Sequence, residues 1–183
     1  MVEPQTTTLE APEINGDGDG ASVLTCADVG WKPLRALLER YGLELSPVAD
    51  GGDLPGSYWG APEAGLVELR VFARGDTPVH SLLHEACHAI CVDPDRRRSL
   101  HTEAGGDDDE ENGVCYLQIL LADHIPGVGR GRLMTDMDSW GYSFRLGSTR
   151  AWFERDAEDA KAWLLAHGLI DGASRIVWRL RGT

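Results

Sequence analysis

The sequence predicts an α+β fold in which a small twisted β-sheet packs against helices, with an extra helix and strand at the C-terminal end. Apolar and polar residues alternate in two short segments before residue 75, which is typical of half-buried strands. After residue 77, apolar residues recur every three or four positions, as on the buried face of a helix. The chain has 183 residues, 42% of them hydrophobic, which suits one domain with one core.

The first part of the predicted domain contains one helix and two strands. A helix is predicted at about residues 28–41, because apolar side chains recur there at helical spacing and Gly42 follows. The alternating segments at 43–48 and 66–73 are predicted strands. Between them, residues 56–60 are a candidate third strand or the approach to one.

The second part of the predicted domain is mainly helical. Thr77 and Pro78 begin a helix, since threonine caps a helix well and proline suits its first turn, and Asp93-Pro94 ends it. A second apolar helix is predicted at about 109–124, after an acidic run at 107–111. Two further elements are predicted: a helix capped by Ser148 that reaches about residue 167, and a strand at 175–180.

Composition divides the chain into a leader and one domain. Residues 1–20 are rich in Thr, Pro, Gly and acidic residues, and we expect a disordered acidic leader there. Residues 21–183 form the predicted domain, with a core at about 28–125 and a C-terminal extension at 126–183. The start of the chain lacks the basic and apolar regions of a secretory signal, and no apolar run is long enough to cross a bilayer. We therefore expect a cytoplasmic protein without a membrane partner.

The charge balance excludes one class of partner. The chain has 30 acidic and 17 basic residues and a formal net charge of −13. Nucleic-acid binding through global charge needs the opposite sign, since phosphates attract lysine and arginine. The four cysteines, Cys26, Cys87, Cys91 and Cys115, are expected to be buried free thiols.

The predicted helix after Pro78 carries an H-E-x-x-H motif. His84 and His88 are four residues apart, so both imidazoles lie on one helix face, where they can share a zinc ion. Glu85 lies about 100° further round the helix and would act as general base on a zinc-bound water that attacks a carbonyl. The extended three-histidine form of the motif is absent, because Cys91 and Pro94 occupy its later positions.

A catalytic zinc site needs a third protein ligand, and two glutamates are candidates. Glu110 and Glu111 follow His88 by 22 and 23 residues, at the start of the second apolar helix. Glu110 shares a face with apolar residues such as Leu117, which would pack against the first helix, and we favour it slightly. Glu111 shares a more polar face with Gln118 and stays an alternative.

This order of elements resembles the minigluzincins, a gluzincin type of zinc metallopeptidase, and in particular the ImmA/IrrE-like domains. The resemblance covers about residues 28–125. The second helix of that family reads E-x-x-A-N-x-F-A-x-x-L-L, and residues 110–121 fit it loosely. Gly113 stands for the small residue and Tyr116 for the aromatic one, whereas Val114 departs from the pattern and no Met-Pro follows.

The resemblance implies zinc-dependent hydrolysis of a peptide or protein substrate on a small sheet packed against the zinc-bearing helices. Zn²⁺ would be held by His84, His88 and one of the two glutamates, with Glu85 as the base. A second hypothesis keeps the scaffold and the zinc without catalysis, as a regulatory or protein-interaction module. The sequence indicates neither a specific substrate nor an oligomeric state.

Four other residues are candidates for supporting roles. Tyr142, His101 and Tyr116 could stabilise the transition state, and the sequence does not rank them. His80 lies one turn before His84 and is expected beside the ligands or on the surface, because three histidines on one straight helix do not share one ion. The aromatic residues at 140–144, together with Trp152, Phe153 and Trp163, are expected to belong to the core more than to a peptide cleft.

Overall fold

The computed structural model describes residues 22–183, and the expected leader at 1–20 lies outside them. The described part is α+β, as predicted, with eight helices and a three-stranded mixed sheet. The elements in order are α1 (Cys26–Val29), α2 (Trp31–Glu39), β1 (Glu44–Pro47), β2 (Gly65–Val67), β3 (Arg70–Ala73), α3 (Val79–Cys91), α4 (Pro94–Arg97), α5 (Asp108–Ala122), α6 (Gly129–Trp140), α7 (Thr149–Arg155) and α8 (Glu158–Ala166).

The sheet has the strand order β1–β3–β2. β1 runs parallel to β3, and β2 pairs with β3 as an antiparallel hairpin. Leu45 and Leu66 each pair with Val71 in the register, and all three side chains are buried. α3 packs against β2 and β3, so the sheet supports the helix that carries the H-E-x-x-H motif.

The expectation of one strand at 66–73 is wrong, and residues 56–60 are not a third strand. The segment 66–73 is two strands, because the chain turns at Glu68, which adopts a left-handed conformation with φ 54°. The alternation of apolar and polar residues continues through this turn, so the pattern hides the break. Residues 56–60 form a turn, in which Gly56 has φ 73° and its carbonyl accepts a hydrogen bond from the amide of Leu66.

The helices away from the motif also differ from expectation. The helix at 28–41 is divided at Gly30, whose φ of 85° is incompatible with a continuous helix, and the one at 148–167 is divided into α7 and α8. Residues 175–180 contain an isolated bridge at Ile176 instead of a strand. α6 fills part of the extension where no helix was expected.

The two helices of the predicted zinc site form where the sequence places them. α3 follows Pro78, and α5 begins after Asp107, whose carboxylate accepts a 2.9 Å hydrogen bond from the amide of Glu110. α5 packs against α3, α6 and α8, and its central turns are buried. The four cysteines are free and buried, as predicted. Within residues 22–183, no helix is both long and apolar enough to span a membrane.

Candidate metal centre

The two histidines of the motif meet on the face of α3 that is turned towards α5. The Nε2 atoms of His84 and His88 are 3.1 Å apart, and the rings are nearly perpendicular. Each side chain is about 15% exposed, so the pair is largely shielded from solvent yet open on one side. This is the geometry expected for residues four apart on a helix.

Glu111, in the first turn of α5, completes a group of three side chains. Its Oε1 lies 3.4 Å from Nε2 of His84, and its Oε2 lies 3.5 Å from Nε2 of His88. Glu111 therefore faces both imidazoles across the interface between α3 and α5, whereas Glu85 lies on the same helix as the histidines. The two carboxylate oxygens thus lie beside the two imidazole nitrogens, one oxygen to each.

Glu110 has a different environment from its neighbour. Its side chain is only 6% exposed and accepts hydrogen bonds from Arg96 Nη2 at 2.6 Å and from Arg181 Nη1 at 3.0 Å. Adjacent residues of a helix point about 100° apart, so the two glutamates cannot both face the histidines. The structure thus brings Glu111 to the imidazoles. Glu110, which the sequence slightly favoured as the third ligand, is paired with arginines instead.

The spacing of the three side chains fits a tetrahedral metal ion. Two ligands that are each about 2.0–2.1 Å from a tetrahedral ion lie about 3.3–3.4 Å from each other. The 3.1 Å between the two Nε2 atoms is close to that value, and each carboxylate oxygen of Glu111 lies 3.4 or 3.5 Å from one of these nitrogens. Two histidines and one glutamate are also a donor set that catalytic zinc sites use, with a fourth position left open.

Gln118 fixes the orientation of His84, and sequence reasoning gave it no role. Its Oε1 lies 2.7 Å from Nδ1 of His84, and its Nε2 lies 3.3 Å from the sulfur of Met137. With the amide oxygen as acceptor, the proton of His84 is on Nδ1, and the lone pair of Nε2 points to the common centre. The sequence feature that could have identified Gln118 is its polar side chain, which lies two helical turns after Glu111 among apolar residues.

Cys115 is a further side chain at the centre. Its Sγ lies 3.8 Å from Oε1 of Glu111, and ligand atoms of Cys115, Glu111 and His84 all lie within 4.8 Å of one another. Burial raises the pKa of the Cys115 thiol well above its usual value, so without a metal the thiol is protonated and donates to the carboxylate. The deprotonated thiol would be a fourth protein ligand.

Burial and charge shift the pKa values of the motif residues. Burial raises the pKa of Glu85 to about 8, although the charge of His84 opposes the shift. Burial and, to a smaller extent, the charge of His84 lower the pKa of His88 to about 4. Burial also lowers the pKa of His84, but the charges of Glu111 and Glu85 and the bond to Gln118 outweigh it, and the net shift is upwards.

Glu63 is a second polar residue near the motif that sequence reasoning missed. Its carboxylate accepts hydrogen bonds from Trp140 Nε1 at 2.7 Å and from Ser81 Oγ at 3.0 Å. The charge of Glu63 raises the pKa of Glu85, after the larger effect of burial. No local pattern marks Glu63, because it precedes β2 in an irregular loop.

Of the four supporting candidates, two lie beside the motif. The Tyr142 ring centroid is 6.0 Å from that of His84. His80 is buried between Trp140 and Tyr142, with centroids at 5.2 and 5.4 Å, and neither of its ring nitrogens has a hydrogen-bond partner among residues 22–183. His80 therefore belongs to the interior and does not lie on the surface.

The other two candidates make their contacts elsewhere. Tyr116 stacks on Phe153 with a centroid distance of 4.5 Å. His101 is exposed and hydrogen-bonds the hydroxyl of Thr102. The structure does not bring either side chain to the three converging residues.

A cavity of about 330 Å³ opens beside the centre. Its lining includes Glu111, Cys115 and Tyr142, so a molecule in the cavity would contact the same residues. Comparison with known proteins adds no relative: no family model, no curated protein and no solved structure matches this chain.

Proposed function

We propose that this protein is a zinc metallopeptidase of the minigluzincin type, which hydrolyses peptide bonds. The observation that carries the proposal is the convergence of His84, His88 and Glu111 at mutual distances of 3.1–3.5 Å. These residues would hold the ion. Glu111 would be the third ligand, a role for which the sequence had slightly favoured Glu110. When bound, zinc polarises a carbonyl and lowers the pKa of water.

The chain's own groups supply orientation and proton transfer. Gln118 holds Nδ1 of His84 and so directs Nε2 at the centre. Glu85, next to His84 on α3, would take a proton from water at its carboxylate and pass it to the leaving amine. Tyr142, whose ring lies beside His84 and whose hydroxyl interacts with the Gln118 side chain, is the residue that would donate a hydrogen bond to the carbonyl oxygen of the substrate.

The cavity reaches the candidate centre at Glu111 and at Tyr142, the proposed hydrogen-bond donor. It is lined by Glu111 and Tyr142 and is large enough for part of a peptide. A set of three protein ligands, His84, His88 and Glu111, favours hydrolysis over purely structural metal binding, because a catalytic site keeps one position free of protein ligands.

The test separates metal binding from turnover. Purified wild-type protein should contain zinc by elemental analysis, and the double variant His84→Ala/His88→Ala should not. Glu85→Gln should keep the zinc and lose hydrolysis of a random-sequence peptide mixture, whereas Glu39→Gln on the distant α2 should keep both. Equal zinc content in wild type and the double variant, or unchanged hydrolysis by Glu85→Gln, would contradict the proposal.

One observation favours the second candidate function, a zinc-binding module without catalysis. Cys115 lies within the same group of ligand atoms as His84 and Glu111, and four protein ligands would leave no open position. In that case Cys115→Ser should weaken zinc binding strongly. In the metallopeptidase it should change zinc affinity little, because the thiol only donates a hydrogen bond to Glu111.

A further inference from the structure

The cavity beside the centre has an uneven charge distribution. Besides Glu111, its lining contains the carboxylates of Asp108, Asp156 and Asp159, and Arg145 is the positively charged lining residue. Arg145 is bound to Asp156, with Nε 2.8 Å from Oδ2, so these two charges cancel locally. Within residues 22–183, neither Asp108 nor Asp159 forms an ion pair within 4 Å, although the charge of Asp159 acts on the nearby Arg145 guanidinium.

The two rim carboxylates come from different helices. Asp108 is the first residue of α5, and Asp159 is in the first turn of α8. Both side chains are exposed, so an incoming group can reach them without displacing protein atoms. The helix N-termini carry partial positive charge, which offsets part of the negative potential. The remaining attraction for a cation is modest and sensitive to salt.

The wall of the same cavity is aromatic. The rings of Phe144 and Trp152 are stacked with centroids 4.4 Å apart and an interplanar angle of 19°, and Tyr142 lies 6.4 Å from Phe144. Trp152 is buried, so the partly exposed rings of Phe144 and Tyr142 offer the apolar surface that a hydrocarbon stem can contact. Lysine and arginine combine such a stem with a charged end.

We infer that this cavity binds a lysine or arginine side chain of the peptide substrate, near the bond to be cleaved. The inference rests on the proposed peptidase function, because the cavity shares Glu111 and Tyr142 with the candidate metal centre. The aromatic wall contacts the stem, and Asp108 and Asp159 hold the charged end. An uncharged side chain of equal length makes only the contacts with the aromatic wall. An acidic side chain is repelled by the two rim carboxylates.

The experiment measures binding without turnover. The full chain carrying Glu85→Gln is titrated with two short alanine-based peptides that differ in one central residue, lysine or norleucine. We expect the lysine peptide to bind about three- to tenfold more tightly at low salt, since exposed charge pairs contribute modestly to affinity. The preference should shrink as salt is added. Equal binding of the two peptides at low salt would overturn the inference.

A matched pair of variants separates the cavity from the net charge of the protein. Asp108→Asn/Asp159→Asn removes the rim charges and should abolish the preference for lysine. Asp109→Asn/Glu158→Gln removes two charges from the neighbouring positions of the same helices, which do not line the cavity, and should keep the preference. Loss of the preference in both pairs would show a global charge effect and overturn the inference.

The same peptides distinguish this inference from the proposed function. If the lysine peptide is preferred in binding but the protein with Glu85 intact cleaves neither peptide, the cavity assignment stands and the peptidase proposal fails. If both peptides are cleaved with equal kcat/KM and bound equally, the peptidase proposal stands and the cavity assignment fails.

Discussion

Gln118 and His84 face each other across the interface of α5 and α3, with 2.7 Å between the amide Oε1 and the imidazole Nδ1. The amide cannot turn freely, because its nitrogen points at the sulfur of Met137. A buried side chain from one helix therefore sets the proton position of a histidine on the other. This contact explains how a site assembled from two helices can hold its donors ready for an ion.

Replacing Gln118 by leucine should weaken zinc binding roughly 10- to 100-fold, because the orienting acceptor for His84 is lost. Leucine keeps most of the buried volume, so the fold should survive. The measurement is a competitive titration with a zinc chelator. Met137→Leu is the matched control: it changes the other end of the amide contact and should alter zinc affinity less than threefold. Unchanged affinity in Gln118→Leu would show that the contact does not orient the ligand.

The neighbouring glutamates should respond in opposite ways. Glu111→Gln removes the carboxylate that faces both histidines and should reduce zinc affinity by at least tenfold, with little loss of stability in the metal-free protein. Glu110→Gln should leave zinc affinity nearly unchanged. It should lower the free energy of unfolding by about 1–3 kcal/mol, because Arg96 and Arg181 lose their buried partner, although both arginines are partly exposed.

Chelator titration and urea denaturation of the two variants measure these effects side by side. Each variant serves as the control for the other, since both changes remove one negative charge from the first turn of α5. A loss of zinc affinity in Glu110→Gln without loss in Glu111→Gln would reverse the assignment of the third ligand.

These two positions also show how far a sequence can define the site. The spacing of His84 and His88 on a helix is a local property, and it predicted their shared face correctly. The choice between Glu110 and Glu111 depends on Arg96 and Arg181, and the second of these is 71 residues away in sequence. A helix face that looks apolar can still accommodate a carboxylate when distant arginines reach it.

The fold was predictable to a similar extent. The helices that carry long apolar stripes, α3 and α5, form close to their predicted bounds, because periodicity is a strong signal over several turns. The single strand expected at 66–73 is a hairpin. Its turn lies at Glu68, whose left-handed conformation is uncommon for a glutamate and is not predicted by its residue type. The break at Gly30 was also missed, although glycine is the residue type that most readily adopts the positive φ found there.

The metal-free protein should lose stability on acidification, and His80 should account for part of the loss. Burial, followed by the charge of His84, lowers the pKa of His80 to about 3 in the folded state, from 6.5 in an unperturbed histidine. Between these values the unfolded chain binds a proton that the folded chain does not. The lowered pKa of His80 therefore costs no stability above pH 6.5. As the pH falls from 6.5 towards 3, it reduces the free energy of unfolding.

The variant His80→Phe isolates this contribution. Phenylalanine keeps a ring between Trp140 and Tyr142 and removes two buried nitrogens that have no hydrogen-bond partner, so stability at pH 7 should change by less than about 1 kcal/mol. Between pH 6.5 and 4, urea denaturation of metal-free protein should then show a shallower loss than in the wild type. His88, whose pKa is also lowered by burial, keeps part of the pH dependence in both proteins. Identical slopes in the two proteins would mean that His80 is protonated in the folded state.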